Sequence, residues 1–116
     1  MPVSIIVLSI LLGVAFTVAG VSKLTGQSAM REAATHFGIT WERYRLIGVL
    51  EVAGAVGVLL GLAVTALGAL ASIALALLMI AAVATHRRVN DPPAQLAPAL
   101  VLGLLSAATA VLYLAH

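Results

Sequence analysis

The stretch LIGVLEVAGAVGVLLGLAVTALGALASIALALLMIAAVAT, residues 46–85, runs for 40 residues with a single charged side chain, Glu51. As one helix at 1.5 Å per residue it would measure about 60 Å, twice the roughly 30 Å hydrocarbon core of a bilayer. It is therefore expected to fold back as two spans. The break falls at Gly61-Leu62-Ala63-Val64-Thr65, and the first of the pair starts earlier, near Trp41, with Thr40 as N-cap.

Outward from this stretch lie two more apolar segments. Val3 to Val21 carries no charge and covers about 28 Å as a helix. A cleaved signal peptide competes for it, because Thr17-Val18-Ala19 loosely resembles a cleavage site. The first basic residue, Lys23, follows the apolar run instead of preceding it, so the segment is expected to remain as a span. Leu96 to Leu114 is the fourth span, set off by the turn signal Asn90-Asp91-Pro92-Pro93. Tyr113 at one face, and Trp41 with Tyr44 at the other, fit interfacial aromatic positions. Between the first two spans, Ser28 to Phe37 puts Met30, Ala33, Ala34 and Phe37 on one helical face, with Gly38 as a stop. This reads as a short amphipathic helix at the membrane surface, the alternative being an irregular solvated loop. The expected fold is all-α: a polytopic membrane four-helix bundle with a short amphipathic helix between helices 1 and 2. It forms one domain over residues 1–116, with spans at about 3–22, 42–61, 65–85 and 95–114.

Composition supports lipid as the solvent. Hydrophobic residues make up 63% of the 116 and charged ones 9%, against about 45–50% and about 25% in soluble chains. A small water-soluble domain buries only ~60–70% of its unfolded surface and could not hide so much apolar area. The basic excess is six against four, with no basic stripe interleaved by aromatics, so no nucleic-acid partner is expected. The chain has no cysteine, which excludes disulfides, thiol redox chemistry, Cys-ligated zinc and iron–sulfur clusters. No histidine pair has metal-ligand spacing on one helix, so no metal site is expected. With four spans, Lys23, Arg31, Arg43, Arg45, Arg87 and Arg88 all fall in the first and third loops or at their edges. Positive loops stay cytoplasmic, which places both termini outside a multi-pass cell-membrane protein.

Glu51 is the ionisable side chain set well inside a span. A carboxylate there is costly and should face the bundle interior with a partner. Cβ bonds tilt toward a helix N-terminus. Lys23 and His86, at the ends of helices running inward, lean back into the membrane, while Glu51 on a helix running outward leans toward the cytoplasm. Lys23, Glu51 and His86 are therefore aimed at one layer. As a ligand-binding cluster they would handle protons or hold a head group, with Glu51 and His86 the candidate catalytic pair and Lys23 a counter-ion. As a structural clasp they would pin three helices together, and His86 also fits an ordinary interfacial residue. Gly54, Gly57 and Gly61 read as helix-packing positions: Gly57 and Gly61 form a small-xxx-small face, as do Gly68, Ser72 and Ala76.

These pieces resemble, in order, the DoxX-like family of small four-helix membrane proteins. Gly20-Val21-Ser22-Lys23-Leu24-Thr25-Gly26 is like the family's Lys-x-x-Gly segment, and Phe37-Gly38-Ile39 ends a similar amphipathic loop. Leu46-Ile47-Gly48-Val49-Leu50-Glu51-Val52-Ala53-Gly54 is like its Gly-x-x-Glu segment, followed by Gly61-Leu62. Leu78-Met79-Ile80-Ala81-Ala82-Val83-Ala84-Thr85-His86 is similar to its Met-x-x-Ala run before a histidine. The fourth span matches in hydrophobicity alone. The resemblance implies a four-helix bundle with recurring polar positions at Lys23, Glu51 and His86. It also implies a mixed set of roles: thiosulfate:quinone oxidation, oxidative-stress complexes, and assistance to nicotinic receptor assembly in a vertebrate relative. Without cysteine, a self-contained thiosulfate oxidase is not expected.

Three functions follow as alternatives. The first is an accessory subunit of a membrane redox system that binds a quinone or another lipid and meets a partner membrane or peripheral oxidoreductase. The second is a stand-alone membrane enzyme using Glu51 as general acid/base on an apolar substrate such as an isoprenoid or epoxide. The third is a non-catalytic assembly factor whose contacts depend on Gly57 and Gly61. Membrane lipid is a partner in each, and a homo-oligomer through a small-residue face is compatible with all.

Overall fold

A computed structural model describes residues 1–116 as five helices and no strand. They are α1 (Val3–Leu24), α2 (Ser28–Phe37), α3 (Trp41–Leu60), α4 (Thr65–Arg88) and α5 (Pro93–Leu114). By length and composition, α1, α4 and α5 are apolar enough to cross a membrane. That is three helices where four spans are expected. The difference lies in α3, which has 20 residues but carries Glu42, Arg43 and Arg45 in its first turns and Glu51 midway.

The boundaries follow local chemistry. The Thr40 hydroxyl caps α3 by accepting the Arg43 N–H at 3.3 Å. Gly38, at φ 69°, closes α2, and the Ile39 N–H reaches back to Ala34 O at 2.9 Å. The break expected at residues 61–65 is a turn over 61–64, with Thr65 already opening α4, tightened by i→i+3 bonds, Leu62 N–H to Leu59 O and Ala63 N–H to Leu60 O. These satisfy carbonyls that lipid could not. Pro93 opens α5, where its missing N–H costs nothing.

The four long helices close a ring: α1 packs on α3, α3 on α4, α4 on α5 and α5 on α1. Only 23 of 116 residues are buried, while Val3, Leu104, Ile80, Leu46 and Leu60 stand exposed around the outside. Lipid tails are as apolar as leucine, so helices in a membrane associate through close packing and not through hydrophobic burial. The glycines provide that fit. A Cβ on Gly54 would strike Leu75, one on Gly57 would lie 2.7 Å from Ala71 Cβ, and one on Gly61 would collide with the Gly68 backbone. On the other side of α3, a Cβ on Gly20 would lie 2.6 Å from Gly48 O, and one on Gly48 2.7 Å from Gly20 O.

Tyr113 departs from its expected interfacial position. It is 2% exposed, seated over Gly61 and Gly68, whose absent side chains make room for its ring. Its hydroxyl donates to Val58 O at 2.9 Å, leaving the Ser9 hydroxyl to donate to it at 2.6 Å. Hydropathy does not separate these two settings, because both pair an apolar ring with a satisfied hydroxyl.

Candidate functional site

The Gly20–Gly48 contact sets the site. Lys23 and Glu51 each stand one turn beyond their glycine, so the closest approach of α1 and α3 brings their side chains together. Lys23 Nζ lies 2.7 Å from Glu51 Oε1. No other donor reaches buried Oε1, so the ammonium is its one partner. Lys23 Nζ also stands 5.6 Å from the centroid of the Tyr44 ring, whose electron-rich face attracts the ammonium.

Both residues line a half-open cavity of about 300 Å³ bounded by the ends of α1 and α4, the start of α3 and the inner face of α2. Nine of its thirteen lining residues are hydrophobic, so the polar groups stand out against an apolar wall. Ala33 and Phe37 of α2 form part of that wall. The amphipathic pattern explains why: Met30, Ala33, Ala34 and Phe37 turn inward while Arg31, Glu32 and Thr35 face out. Arg31 ties α2 down by donating to Gly26 O at 3.1 Å and stacking 4.6 Å from the Trp41 ring centroid.

His86 lines the same cavity, so the three side chains expected in one layer do surround one space. His86 is not hydrogen-bonded to Glu51, however. Its Nδ1 lies 2.6 Å from Asp91 Oδ2, and His36 Nε2 lies 2.7 Å from Asp91 Oδ1. The carboxylate thereby joins the end of α2 to the end of α4. Arg88 reinforces the junction by donating to Phe37 O at 2.7 Å, and the Phe37 ring meets His86 edge-on at 4.9 Å. Asp91 and His36 are absent from the expected cluster. Asp91 belongs to a turn signal, and His36 sits 55 positions away on the polar side of α2.

The hydrogen bond from His86, then that from His36, holds the Asp91 carboxyl below the usual carboxylate range. A depressed folded value means that this bridge contributes fully above the ordinary carboxylate pKa and fades as pH falls through the folded one. Acidification should leave α2 latched until Asp91 itself takes up a proton, since both histidines donate to its carboxylate. Protection of the α2 amides, measured against the intrinsic exchange rate at each pH, is expected to hold from about pH 7 to about pH 5 and to fall only below about pH 4. Loosening of α2 already between about pH 7 and about pH 5, above the carboxylate range, would contradict the bridge.

The expected packing glycines lie outside the cavity: Gly54, Gly57 and Gly61 all face α4 or α5. A family model described as the DoxX-like family matches residues 7–109. No curated protein and no solved structure matches the chain.

Proposed function

The chain belongs to the DoxX-like family, and from that premise we propose that it is a four-span membrane protein that binds an amphipathic ligand, a quinone or another lipid, at Lys23, Glu51 and His86. In this role it serves as an accessory subunit of a membrane redox system, delivering or holding the ligand for a partner oxidoreductase. α3 is the fourth span. Its charges at Glu42, Arg43 and Arg45 gather at one end, and Leu46, Val49, Leu50, Val56, Leu59 and Leu60 present an exposed apolar face to lipid. The end bearing Lys23, Arg31, Arg43, Arg45, Arg87 and Arg88 is cytoplasmic, and both termini lie outside.

One observation carries the ligand site: buried Glu51, whose Oε1 meets no group but the Lys23 ammonium at 2.7 Å, opens on an apolar cavity of about 300 Å³. Ligand pockets are mostly apolar, run from about 300 to 1,000 Å³, and hold a few polar groups that fix orientation. This volume suits a head group, with the tail passing between helices into lipid. The Lys23 ammonium can donate to a carbonyl oxygen, and Glu51 or His86 can exchange a hydrogen bond with a hydroxyl. A pure clasp has less need of the space.

Native mass spectrometry of the gently solubilised protein, beside a Glu51→Gln variant, tests this. A small apolar ligand retained by the wild type and lost from the folded variant is expected. A partner protein retained in both samples, with no small ligand in either, would make the cluster a clasp.

A further inference from the structure

Asp91 takes no part in the ligand site described above, yet it holds the ring of that site best suited to accept a proton. An ionised carboxylate only accepts hydrogen bonds, so His86 Nδ1 and His36 Nε2 both carry hydrogen where they meet Asp91 at 2.6 and 2.7 Å. In a neutral His86 ring this leaves Nε2 as the lone pair. That nitrogen has no protein partner and is not sealed off, while the ring it belongs to lines the cavity. Phe37, edge-on at 4.9 Å, fixes the ring's tilt. His36 braces the second Asp91 oxygen from α2, and Arg87 borders the same surface hollow as Asp91. Inside the cavity, the charged pair is Lys23 with Glu51, beside the Tyr44 phenol.

We propose that Asp91 is a positioning residue that locks His86 in the Nδ1–H tautomer, so that Nε2 meets the ligand as proton acceptor and selects a head group bearing a hydroxyl. This rests on the ligand site proposed above. In the step it supports, the ligand's O–H bond breaks as the Nε2–H bond forms. The imidazolium is compensated by Asp91, and the oxyanion left on the ligand faces the Lys23 ammonium. No electron leaves the ligand in this step. A phenol or an enol satisfies it, and the corresponding ether does not.

The test uses the full chain in lipid nanodiscs with ¹⁵N-labelled histidine, under alkaline conditions where imidazoles are neutral. Wild-type His86 is expected as the Nδ1–H tautomer. Asp91→Ala should shift it toward the Nε2–H form that unconstrained histidine favours, Asp91→Glu should restore it, and His36→Ala should leave it in place. A wild-type His86 found as Nε2–H overturns the proposal without any variant having to fold. The second readout is binding of a short-chain hydroquinone against its dimethyl ether. The wild type should prefer the hydroquinone by about tenfold, near the upper end of what one neutral hydrogen bond contributes, and Asp91→Ala should lose that preference. Equal binding of the two probes overturns the selection for a hydroxyl. The expected tautomer with neither probe bound supports the positioning by Asp91 and overturns the ligand site.

Discussion

Lys23→Met is expected to destabilise the protein by about 3 kcal/mol, the low end of what removing one partner of a buried ion pair costs. The asymmetry of the pair makes the prediction specific. Glu51 is 2% exposed, whereas the Lys23 side chain retains 19% of its surface at the end of α1. Losing Lys23 strands a carboxylate in an apolar wall. Losing the charge at Glu51 strands an ammonium that can extend its stem toward water. Glu51→Gln should therefore cost less, about 1 kcal/mol, comparable to one lost hydrogen bond. The Lys23→Met, Glu51→Gln double variant should be more stable than Lys23→Met alone. Equilibrium unfolding in mixed micelles measures all three. Equal, small losses from both single variants would mean that the pair is wet and contributes little, as surface ion pairs do.

Gly48→Leu is expected to damage stability and site together. A Cβ at residue 48 would stand 2.7 Å from Gly20 O and 2.9 Å from Lys23 Cβ. The first contact is backbone and cannot yield by a rotamer change, so α1 and α3 must move apart. Overpacking of this kind costs about 1–3 kcal/mol, and Lys23 is carried away from Glu51 in the same movement. Ligand retention should fall with stability. Gly38→Ala is the contrasting case: nothing lies within 4 Å of its Cβ, and only the strain of φ +69° opposes it, about 1–2 kcal/mol with no effect on the pair. Retained ligand in a folded Gly48→Leu protein would disconnect the glycine contact from the site.

Lys23 and Glu51 were legible because charge is scarce here and each exception to the apolar pattern demands a partner. Helix direction then aimed them at one layer, and His86 with them. What sequence could not supply was how His86 spends its hydrogen bonds. Asp91 sits beside two prolines, where its evident role is to end a helix, and its contact with His36 exists only because α2 folds back over the end of α4. Tyr113 shows the same limit from the apolar side. Its burial depends on a notch shared by Gly61, just past the end of α3, and Gly68 on α4, a property of two segments and not of either alone. α3 has the length expected of a span and an apolar outer face, but Glu42, Arg43 and Arg45 at its start dilute its hydrophobicity.

The cavity at Lys23, Glu51 and His86 is most directly tested by photo-affinity labelling of the full chain in nanodiscs with a diazirine-bearing quinone analogue, its adducts mapped by mass spectrometry. A ligand site predicts adducts concentrated on Phe37, Tyr44 and Met79 of the cavity wall, competed by the unlabelled quinone and lost in Glu51→Gln. Adducts spread over the outward-facing Ile80 and Leu104, indifferent to competitor and to Glu51→Gln, would show that the quinone meets this protein only as a component of the surrounding lipid.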